Sequence, residues 1–512
     1  MSILRWRPTQ CGGINLDDDL ASVPAHQLRQ CDNYVPYRRR WKLIEGNSTF
    51  VSSANAVRTR HLVDFIEDSA GSNLFRLIRM NSNGTVDNIS SGTAASVSTP
   101  TISSSETMLW DTSNFRGTLL LANGSNNLLE MTTVAGGMSQ VSGSPPTIPR
   151  YVEAWKGRIF ISRAAEPWSF NYSAVDDRTT WTGNDAGTEI ITPVQGDVIT
   201  ALRSVENYLA IFTNLSVTAY LGDHPEDWVA RTIFEDHGCS SHRTIARING
   251  GLIYANDFGV FLLSADMKRM ELTRDIRTYW QNLSASSTQR NKSRSAYMHA
   301  VYDPNPDTNR YYIFVSEGTS TAENVCWIFN FNSGEWSRMV SFMDAGQTCQ
   351  AAVTYESSAG TRLVYFATGT NDNTTSDKKV YRIDGSAGFA SRTGSDIAGT
   401  IQTGIISGID TSVQNAEPEV TTKRFDDFIA IFVPTTTASQ VVSFTWEGCS
   451  VDAKATQRTA DQSITSSTAD VTRPRVPVST LGWGLIMTMT YTGTAAHSFG
   501  GGHFAYTDVG VV

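Results

Sequence analysis

The sequence predicts an all-β protein, a β-propeller of antiparallel hairpin blades with a C-terminal β-sandwich domain. Apolar runs of strand length, rich in Ile, Val, Phe, Tyr and Trp, recur along the chain with turn residues between them. Helical periodicity is scarce and no sustained heptads occur. The sequence pattern changes near residue 385, where a second set of strand candidates begins. These three observations together define the expected fold class.

Hairpin patterns fill the chain from roughly residue 50 to residue 385. The runs 118–122 and 128–131 flank Asn123-Gly124, a strong hairpin signal because both residues tolerate positive φ. Comparable runs lie at 75–80 before Asn83-Gly84, at 209–213 and 217–221, at 251–255 and 260–263, at 325–331 before Glu335-Trp336, and at 363–367 and 379–383. A propeller accommodates such a long series better than one sandwich does, since its blades leave only short edges.

One stretch inside this series is a candidate helix. Leu272, Ile276 and Trp280 recur at fourfold spacing within residues 267–282. The pattern is short, so the fold class does not depend on it.

This change in sequence pattern suggests that the chain has three parts. Residues 1–50 are expected to form an extended segment joining the propeller, and residues 51–398 the propeller itself. Residues 399–512 are expected to form the sandwich. The last blade of the propeller is expected either within residues 51–398 or at the start of residues 399–512. The C-terminal strand candidates are 399–409, 425–433, 441–446, 485–491 and 499–512.

The chain of 512 residues carries few charges. Only 18% of its residues are charged, against about 25% in typical proteins. Low charge is unusual for a soluble monomer and suits a protein that buries much of its surface in an assembly. The net charge of −9 argues against a protein that binds nucleic acid across its whole surface.

The sequence also indicates the compartment. No run approaches the roughly 18 consecutive apolar residues of a membrane span, and the first residues lack the apolar stretch of a secretory signal. The six cysteines are scattered without a CxxC motif, so they are expected to be reduced thiols in a reducing cytosol.

Two segments match metal-binding patterns only in part. His237-Gly-Cys239-Ser-Ser-His242 could begin a zinc site, but no second group of ligands follows, so a turn before the strand pair 251–263 is favoured. Residues 303–309 place oxygen ligands at alternating positions, as a calcium loop does. Thr308 and Phe314 stand where that loop needs Gly and Glu, so a hairpin loop between 298–302 and 311–315 is favoured.

Two further segments have a structural and a functional interpretation. The hairpin 173–181 partly matches the Asp box of sialidase-like propellers, but Arg178 stands where the box needs Gly. A sialidase would also need an arginine triad, a Tyr nucleophile and an acid, and nothing marks a triad. The basic run Arg38-Arg39-Arg40-Trp41-Lys42 could contact phosphate, although an exposed hairpin edge guarded by charge is favoured.

None of the common catalytic motifs appears in a suitable context, including GxSxG, HExxH, the P-loop and GxGxxG. The sequence therefore predicts no enzyme, no cofactor, and no catalytic, cofactor-binding or metal-binding residues.

Taken in order, several motifs resemble the β-propeller tail hub or nozzle proteins of short-tailed, podovirus-type bacteriophages. The motifs are Gly12-Gly13-Ile14-Asn15 with Leu28-Arg-Gln30, Asn33 and Gly46; Tyr151-Val-Glu-Ala-Trp155-Lys-Gly157 continuing to Ile161, with Trp168, Phe170 and 173–181; Gly196-Asp197 to Leu202 with Tyr208 to Phe212 and Val217 to Tyr220; Glu235, Gly238-Cys239, Gly251 to Tyr254 and Gly259-Val260; Tyr302-Asp303-Pro304, Asn309 to Tyr312, Trp327 to Phe331 and Gly334-Glu-Trp336; and Lys423-Arg-Phe425. Each motif is weak alone, and the resemblance lies in their order and spacing.

The resemblance implies a structural protein of the virion tail, assembled in the host cytoplasm. Such proteins form a homo-oligomeric ring, typically a hexamer, that docks below a portal or adaptor and carries fibres, spikes or a needle. Double-stranded genomic DNA passes through the lumen at ejection without sequence-specific binding. A net acidic or neutral conduit would repel phosphate, which agrees with the charge of this chain.

Two alternatives remain open from the sequence. The first is a glycan-binding or glycan-hydrolysing propeller, for receptor recognition or sialidase-like cleavage, which would gather aromatic side chains and carboxylates at one propeller mouth. The second is an intracellular scaffold propeller, which the absence of a literal Trp-Asp or kelch-type repeat makes less favoured.

Overall fold

The structure is a computed structural model of the full chain. It describes residues 2–6, 11–19, 22–55, 57–69, 71–105, 108–183, 185–191, 196–283, 289–343, 347–357, 360–369, 378–383, 397–407, 421–434, 439–449, 458–465, 475–482, 484–493 and 497–511.

Five strands open the chain, and only the fifth joins the propeller. They are β1 (Ser2–Trp6), β2 (Leu28–Asp32), β3 (Tyr34–Tyr37), β4 (Arg40–Leu43) and β5 (Asn47–Asn55). Strands β3 and β4 form a hairpin whose tip carries the exposed Arg38, Arg39 and Arg40, while Trp41 is fully buried.

Seven four-stranded antiparallel units follow among the described residues, numbered here as sheets 1 to 7; six are separate sheets, and sheet 6 is part of a ten-stranded sheet. Sheet 1 contains β6 (Thr59–Ser69), β7 (Ser72–Asn81), β8 (Val86–Asn88) and β9 (Ala95–Ser96); sheet 2 contains β10 (Asp111–Phe115), β11 (Thr118–Ala122), β12 (Leu129–Met131) and β13 (Ser139–Gln140); sheet 3 contains β14 (Pro149–Trp155), β15 (Arg158–Arg163), β16 (Ser169–Tyr172) and β17 (Gly187–Ile190). Sheet 4 contains β18 (Ile199–Val205), β19 (Tyr208–Thr213), β20 (Val217–Leu221) and β21 (Val229–Phe234); sheet 5 contains β22 (Ala246–Ile248), β23 (Gly251–Ala255), β24 (Val260–Ser264) and β25 (Arg269–Glu271). Sheet 6 contains β26 (His299–Asp303), β27 (Arg310–Val315), β28 (Val325–Asn330) and β29 (Glu335–Met339); sheet 7 contains β30 (Thr348–Glu356), β31 (Arg362–Gly369), β32 (Lys378–Ile383) and the N-terminal β5.

The seven sheets form a closed ring of propeller blades. Each of seven hydrophobic clusters is shared by two consecutive sheets, and the cluster containing Val51, Leu62 and Tyr365 joins sheet 7 to sheet 1. Both faces of each blade are therefore covered, which explains why inner strands such as β11 and β19 are buried at every position rather than at alternate positions. Strand β5 pairs with β32, so the N-terminal region supplies the outer strand of the last blade.

The C-terminal strands build a β-sandwich together with β1 to β4. They are β33 (Ile397–Thr403), β34 (Ile406–Ser407), β35 (Thr421–Pro434), β36 (Ser439–Cys449), β37 (Arg458–Thr465), β38 (Arg475–Gly482), β39 (Gly484–Gly493) and β40 (His497–Val511). One layer has the order β3-β4-β40-β35-β38 with β1 also on β40, and the other has the order β2-β33-β39-β36-β37 with β34 on β39. Rings such as Phe428 and Trp446, 5.2 Å apart, pack between the layers.

The sandwich is continuous with sheet 6. Strand β2 pairs in parallel with β29 through Asp32 and Arg338, so the fourth strand of the blade leads into the sandwich layer. A second link is the buried ion pair between Arg310 of β27 and Glu45, whose atoms lie 2.7 Å apart.

The fold class predicted from the sequence is confirmed, and the hairpins predicted from paired apolar runs are present. Residues 173–181, expected to form a hairpin, lie instead in the loop between β16 and β17. Gly124 has φ +72° in the connection 123–128 between β11 and β12, the positive value that favours glycine there. The candidate helix at 267–282 is shorter than its pattern, with a 3₁₀ turn at Arg274–Ile276 and one α-helical turn, α1 (Arg277–Trp280). Residues 269–271 are instead held in β25 by pairing with β24, and further 3₁₀ turns lie at Pro225–Asp227, His242–Thr244 and Lys292–Tyr297.

Candidate functional site

A cavity of about 370 Å³ lies on the propeller axis. It is lined by the first strands of sheets 1, 2, 4, 5, 6 and 7, including His61, Asp111, Arg203, His299 and Thr354. First strands surround the axis of a propeller, so their polar side chains converge there although they are far apart in the sequence.

One end of the cavity is closed by the 3₁₀ turn His242–Thr244, which we call the axial turn. His242 Nε2 donates to the carbonyl oxygen of Trp110 in the segment before sheet 2, at 2.9 Å. Arg243 donates to the carbonyl oxygen of Gln350 in sheet 7, at 2.6 Å. The connection between sheets 4 and 5 thus crosses the axis and closes it at this end, while the exposed Asn114 and Arg247 mark the other end as the mouth.

Ion pairs between non-adjacent blades line the wall of the cavity. Arg203 of sheet 4 binds both carboxylate oxygens of Asp111 in sheet 2, at 2.6 and 3.1 Å. Burial opposes ionisation of Asp111, but the charge of Arg203 outweighs it and lowers the pKa of that carboxyl. Glu153 of sheet 3 accepts from Ser204 at 2.6 Å and forms an ion pair with Arg247. These ion pairs join blades that are not neighbours in the ring.

The closed end holds histidines in the neutral form. Burial lowers the pKa of His61 to about 3, and the charge of Arg243 adds to that effect. Burial lowers the pKa of His242 to about 4, and burial with the Arg243 charge places the pKa of His299 well below its ordinary value. At neutral pH these imidazoles are hydrogen-bonding groups rather than cations.

The cavity does not have the composition expected of a glycan site. Among the described lining residues Tyr302 is the single Phe, Tyr or Trp side chain. Asp111 is paired with Arg203, whereas Asp64 lines the cavity outside any described ion pair. A glycan-binding propeller would need several aromatic side chains beside free carboxylates, so the single aromatic side chain of this lining does not favour that alternative.

The structure separates the members of the compact His/Cys segment. Cys239 is buried and donates to the carbonyl oxygen of Ser241 at 3.2 Å, while the His237 ring lies 3.8 Å from the Phe258 ring. His242 points to the axis instead. In the described part of the chain, no group of three or more His, Cys, Asp or Glu residues is placed to hold a metal ion.

The other candidate segments lie in turns. The 303–309 segment is the loop of the β26–β27 hairpin, with the side chain of Asp303 accepting from the backbone of Asn305 at 3.1 Å. In the 173–181 segment, hydrogen bonds from Thr179 and Thr180 lower the pKa of Asp177 to about 2. These hydrogen bonds stabilise the turns in which the residues lie.

A second notable surface is an arc of exposed apolar side chains on one propeller face, called here the apolar face. Its members are 41% to 66% exposed, and they comprise six of the thirteen large exposed apolar side chains in the described residues: Ile148, Trp168, Ile190, Leu215, Phe258 and Leu283. Five of them lie in connections between second and third strands, or between a fourth strand and the next sheet, which leave a propeller at the same end. Ile190 is the last residue of the fourth strand β17 and lies at that end as well. The axial turn belongs to that end as well.

Hydrogen bonds join several of these connections to one another. Ile191 donates to the carbonyl oxygen of Trp168 at 3.0 Å, and Ile199 to that of Pro167 at 2.8 Å. Asp197 accepts from the backbone of Leu215 at 3.3 Å. Further along, Gly238 donates to Asn214, and Gln281 donates to the carbonyl oxygen of Phe258 at 2.7 Å. The connections that carry the apolar face are therefore joined to one another from sheet 3 to sheet 5.

The comparisons with known proteins give no family. No protein-family model matches the chain, and no curated protein matches it. No helix in the part of the chain that the structure describes is long and apolar enough to cross a membrane.

Sequence reasoning missed the axial residues. Asp111, Glu153 and Arg203 stand singly within strand patterns, and each could be read as a solvated position. The sequence feature that could have indicated these residues is a single charged residue within an otherwise apolar run, such as Glu153 between Val152 and Ala154. Such a charge must find a partner if the strand is buried on both faces.

Proposed function

We propose that the chain is a structural subunit of a ring-shaped tail nozzle or hub of a podovirus-type bacteriophage. In this proposal copies of the chain, six in the simplest case, form a ring below the portal or adaptor. The ring carries fibres, spikes or a needle and conducts genomic DNA at ejection, and it assembles in the host cytoplasm. The proposal assigns no catalytic activity to the chain.

The observation that carries the proposal is the apolar face. Isolated exposed apolar residues are normal, but six large ones gathered at one end of a domain are typical of a protein-binding surface. Only 18% of the residues are charged, which also favours burial of surface against neighbours.

The DNA conduit of this proposal lies between subunits. The propeller axis of each subunit is occupied by wall ion pairs and closed by the axial turn, so a duplex cannot pass along it. The net charge of −9 agrees with a conduit that lets DNA slide, because an acidic or neutral lumen repels phosphate.

The test is the assembly state of the purified chain, alone and with the portal and adaptor proteins of its virion. Mass photometry should detect rings near six times 56.0 kDa, and electron microscopy should show an open centre. Trp168→Glu and Phe258→Glu should abolish the rings, because each places a charge in the apolar face. Val229→Glu is the matched control, since Val229 is exposed on β21 outside that face. A chain that stays monomeric with both partners present would refute the proposal.

A further inference from the structure

The closed end of the axial cavity contains a cation that lacks an ionic partner. Arg243 is partly buried and lines the cavity. Its guanidinium uses one donor, to the carbonyl oxygen of Gln350 at 2.6 Å. Among the described residues no carboxylate lies within ion-pair distance of it, in contrast to Arg203 and Arg247 on the wall. Cations taken out of bulk water are normally paired, so a counter-ion is expected.

The surroundings add positive potential at this point. Arg60 reaches the same residue from sheet 1, and its guanidinium donates to Gln350 Oε1 at 3.4 Å. Burial and the charge of Arg60 together lower the pKa of Arg243 to about 10. Glu323 is a carboxylate that acts on Arg243 from a longer distance, and burial raises its own pKa, which weakens it as a counter-ion.

The geometry beside Arg243 suits an oxyanion. His61 and His299 line the same space as polar neutral groups. The Nε2 atom of His61 lies 3.4 Å from Thr112 Oγ1 and that of His299 lies 3.3 Å from Cys349 Sγ, so Arg243 is the group beside the cavity with donors to spare. The planar fork of a guanidinium matches the paired oxygens of a carboxylate or phosphate, and such charge-assisted bonds are stronger than neutral ones. A cavity of about 370 Å³ with one open end admits a small ligand but not a nucleic-acid duplex.

We propose that the axial cavity binds a small oxyanion, a phosphate or a carboxylate, at its closed end, with Arg243 as the principal ligand. The site faces away from the apolar face, since the axial turn separates the two. Binding is therefore compatible with assembly and does not rest on the proposed function. The oxyanion joins the connection between sheets 4 and 5 to sheets 1, 6 and 7, which stabilises the centre of the propeller.

The proposal is tested on the full chain with sodium phosphate and sodium acetate as separate probes. Isothermal titration calorimetry and the thermal unfolding midpoint are measured against sodium chloride at matched ionic strength. At least one probe should bind saturably and raise the midpoint beyond the chloride value, since a ligand that binds only the folded state stabilises it. The probe that binds more tightly identifies the class of oxyanion.

Variants locate the site. Arg243→Gln should weaken binding of the effective probe at least about tenfold, because a charge-assisted pair is lost. Arg231→Gln, an exposed position on β21, is the matched control and should bind as the wild type does. If Arg243→Gln does not fold, Arg243→Lys is used instead. Its affinity for the probe should fall about threefold or more, because lysine lacks the planar guanidinium group that binds two oxygens at once. Equal shifts with phosphate, acetate and chloride, or unchanged affinity in the Arg243 variant, would overturn the proposal.

Discussion

Arg338 binds both carboxylate oxygens of Asp32, at 2.8 and 3.0 Å, where the propeller continues into the sandwich. The two residues also form the single parallel bridge between β29 and β2. Arg338 lies 3.1 Å from Glu317 as well, so one guanidinium serves two carboxylates. Burial raises the pKa of Glu317 to about 7 despite the charge of Arg338. The junction therefore depends mainly on the Asp32 pair.

Asp32→Asn should lower the free energy of unfolding by about 2–4 kcal/mol, because removing one partner leaves a largely buried cation without its best ligand. Urea denaturation followed by fluorescence measures the change. Asp266→Asn is the matched control, since the Asp266–Lys268 pair has side chains 57% and 82% exposed, and solvent screening leaves such a pair with little effect on stability. Equal effects of the two substitutions would show that the junction pair is not special.

Local features of the sequence were enough to predict the blades but not their closure. The Asn123-Gly124 turn specifies its hairpin through backbone conformation, which is encoded in two adjacent residues. Strand β1 pairs with β40 and β5 pairs with β32, and both pairings join residues hundreds of positions apart. The sequence of each strand contains no local pattern that indicates which strand it pairs with. For the same reason the sequence did not reveal the Asp111–Arg203 pair, whose members meet only after the ring closes.

The N-terminal segment docks on sheet 6 through a glycine. A Cβ atom on Gly13 would lie 2.0 Å from the carbonyl oxygen of Trp336, which accepts a hydrogen bond from Ile14 at 2.7 Å. Gly13→Ala should therefore push the segment off β29 and cost about 2–3 kcal/mol of unfolding free energy. Gly500→Ala is the control, since its Cβ would meet its nearest atom at an ordinary 3.7 Å. Thermal denaturation should show a marked loss for the first variant and little change for the second.

Ile148 combines exposure with a strained backbone. Its φ is +56°, a left-handed conformation that β-branched residues rarely adopt. Ile148→Asn should raise the free energy of unfolding by about 1 kcal/mol, because Asn tolerates this conformation. The same substitution at Ile190, exposed on the same face but without positive φ, should give no gain. Chemical denaturation of both variants checks this, and a loss of stability at position 148 would contradict it. Under the proposed function both variants should weaken assembly.

The buried histidines predict that the propeller loses stability in mild acid. His242 has a folded-state pKa of about 4 and His61 of about 3, against 6.5 for the ordinary side chain. Below pH 6.5 the unfolded chain therefore binds protons that the folded chain does not, so stability is full above pH 6.5 and falls as the pH drops toward 4. For His242 alone the loss between pH 6.5 and pH 5 is about 2 kcal/mol. Asp64 and Glu317, whose pKa values burial raises to about 6 and about 7, act in the opposite sense over this window.

A comparison of variants isolates the histidine contribution from those carboxyls. His242→Gln keeps a donor for the carbonyl oxygen of Trp110 but cannot take up a proton. Its unfolding free energy, measured by urea denaturation at pH 5, 6 and 7.5, should fall less steeply with acidification than that of the wild type. The slope should differ by nearly one proton at pH 5, which is about 1.4 kcal/mol per pH unit. His224→Gln, at an exposed position, controls for the substitution itself and should keep the wild-type slope. Parallel curves for His242→Gln and the wild type would show that His242 titrates alike in the folded and unfolded chain, contrary to its burial on the axis.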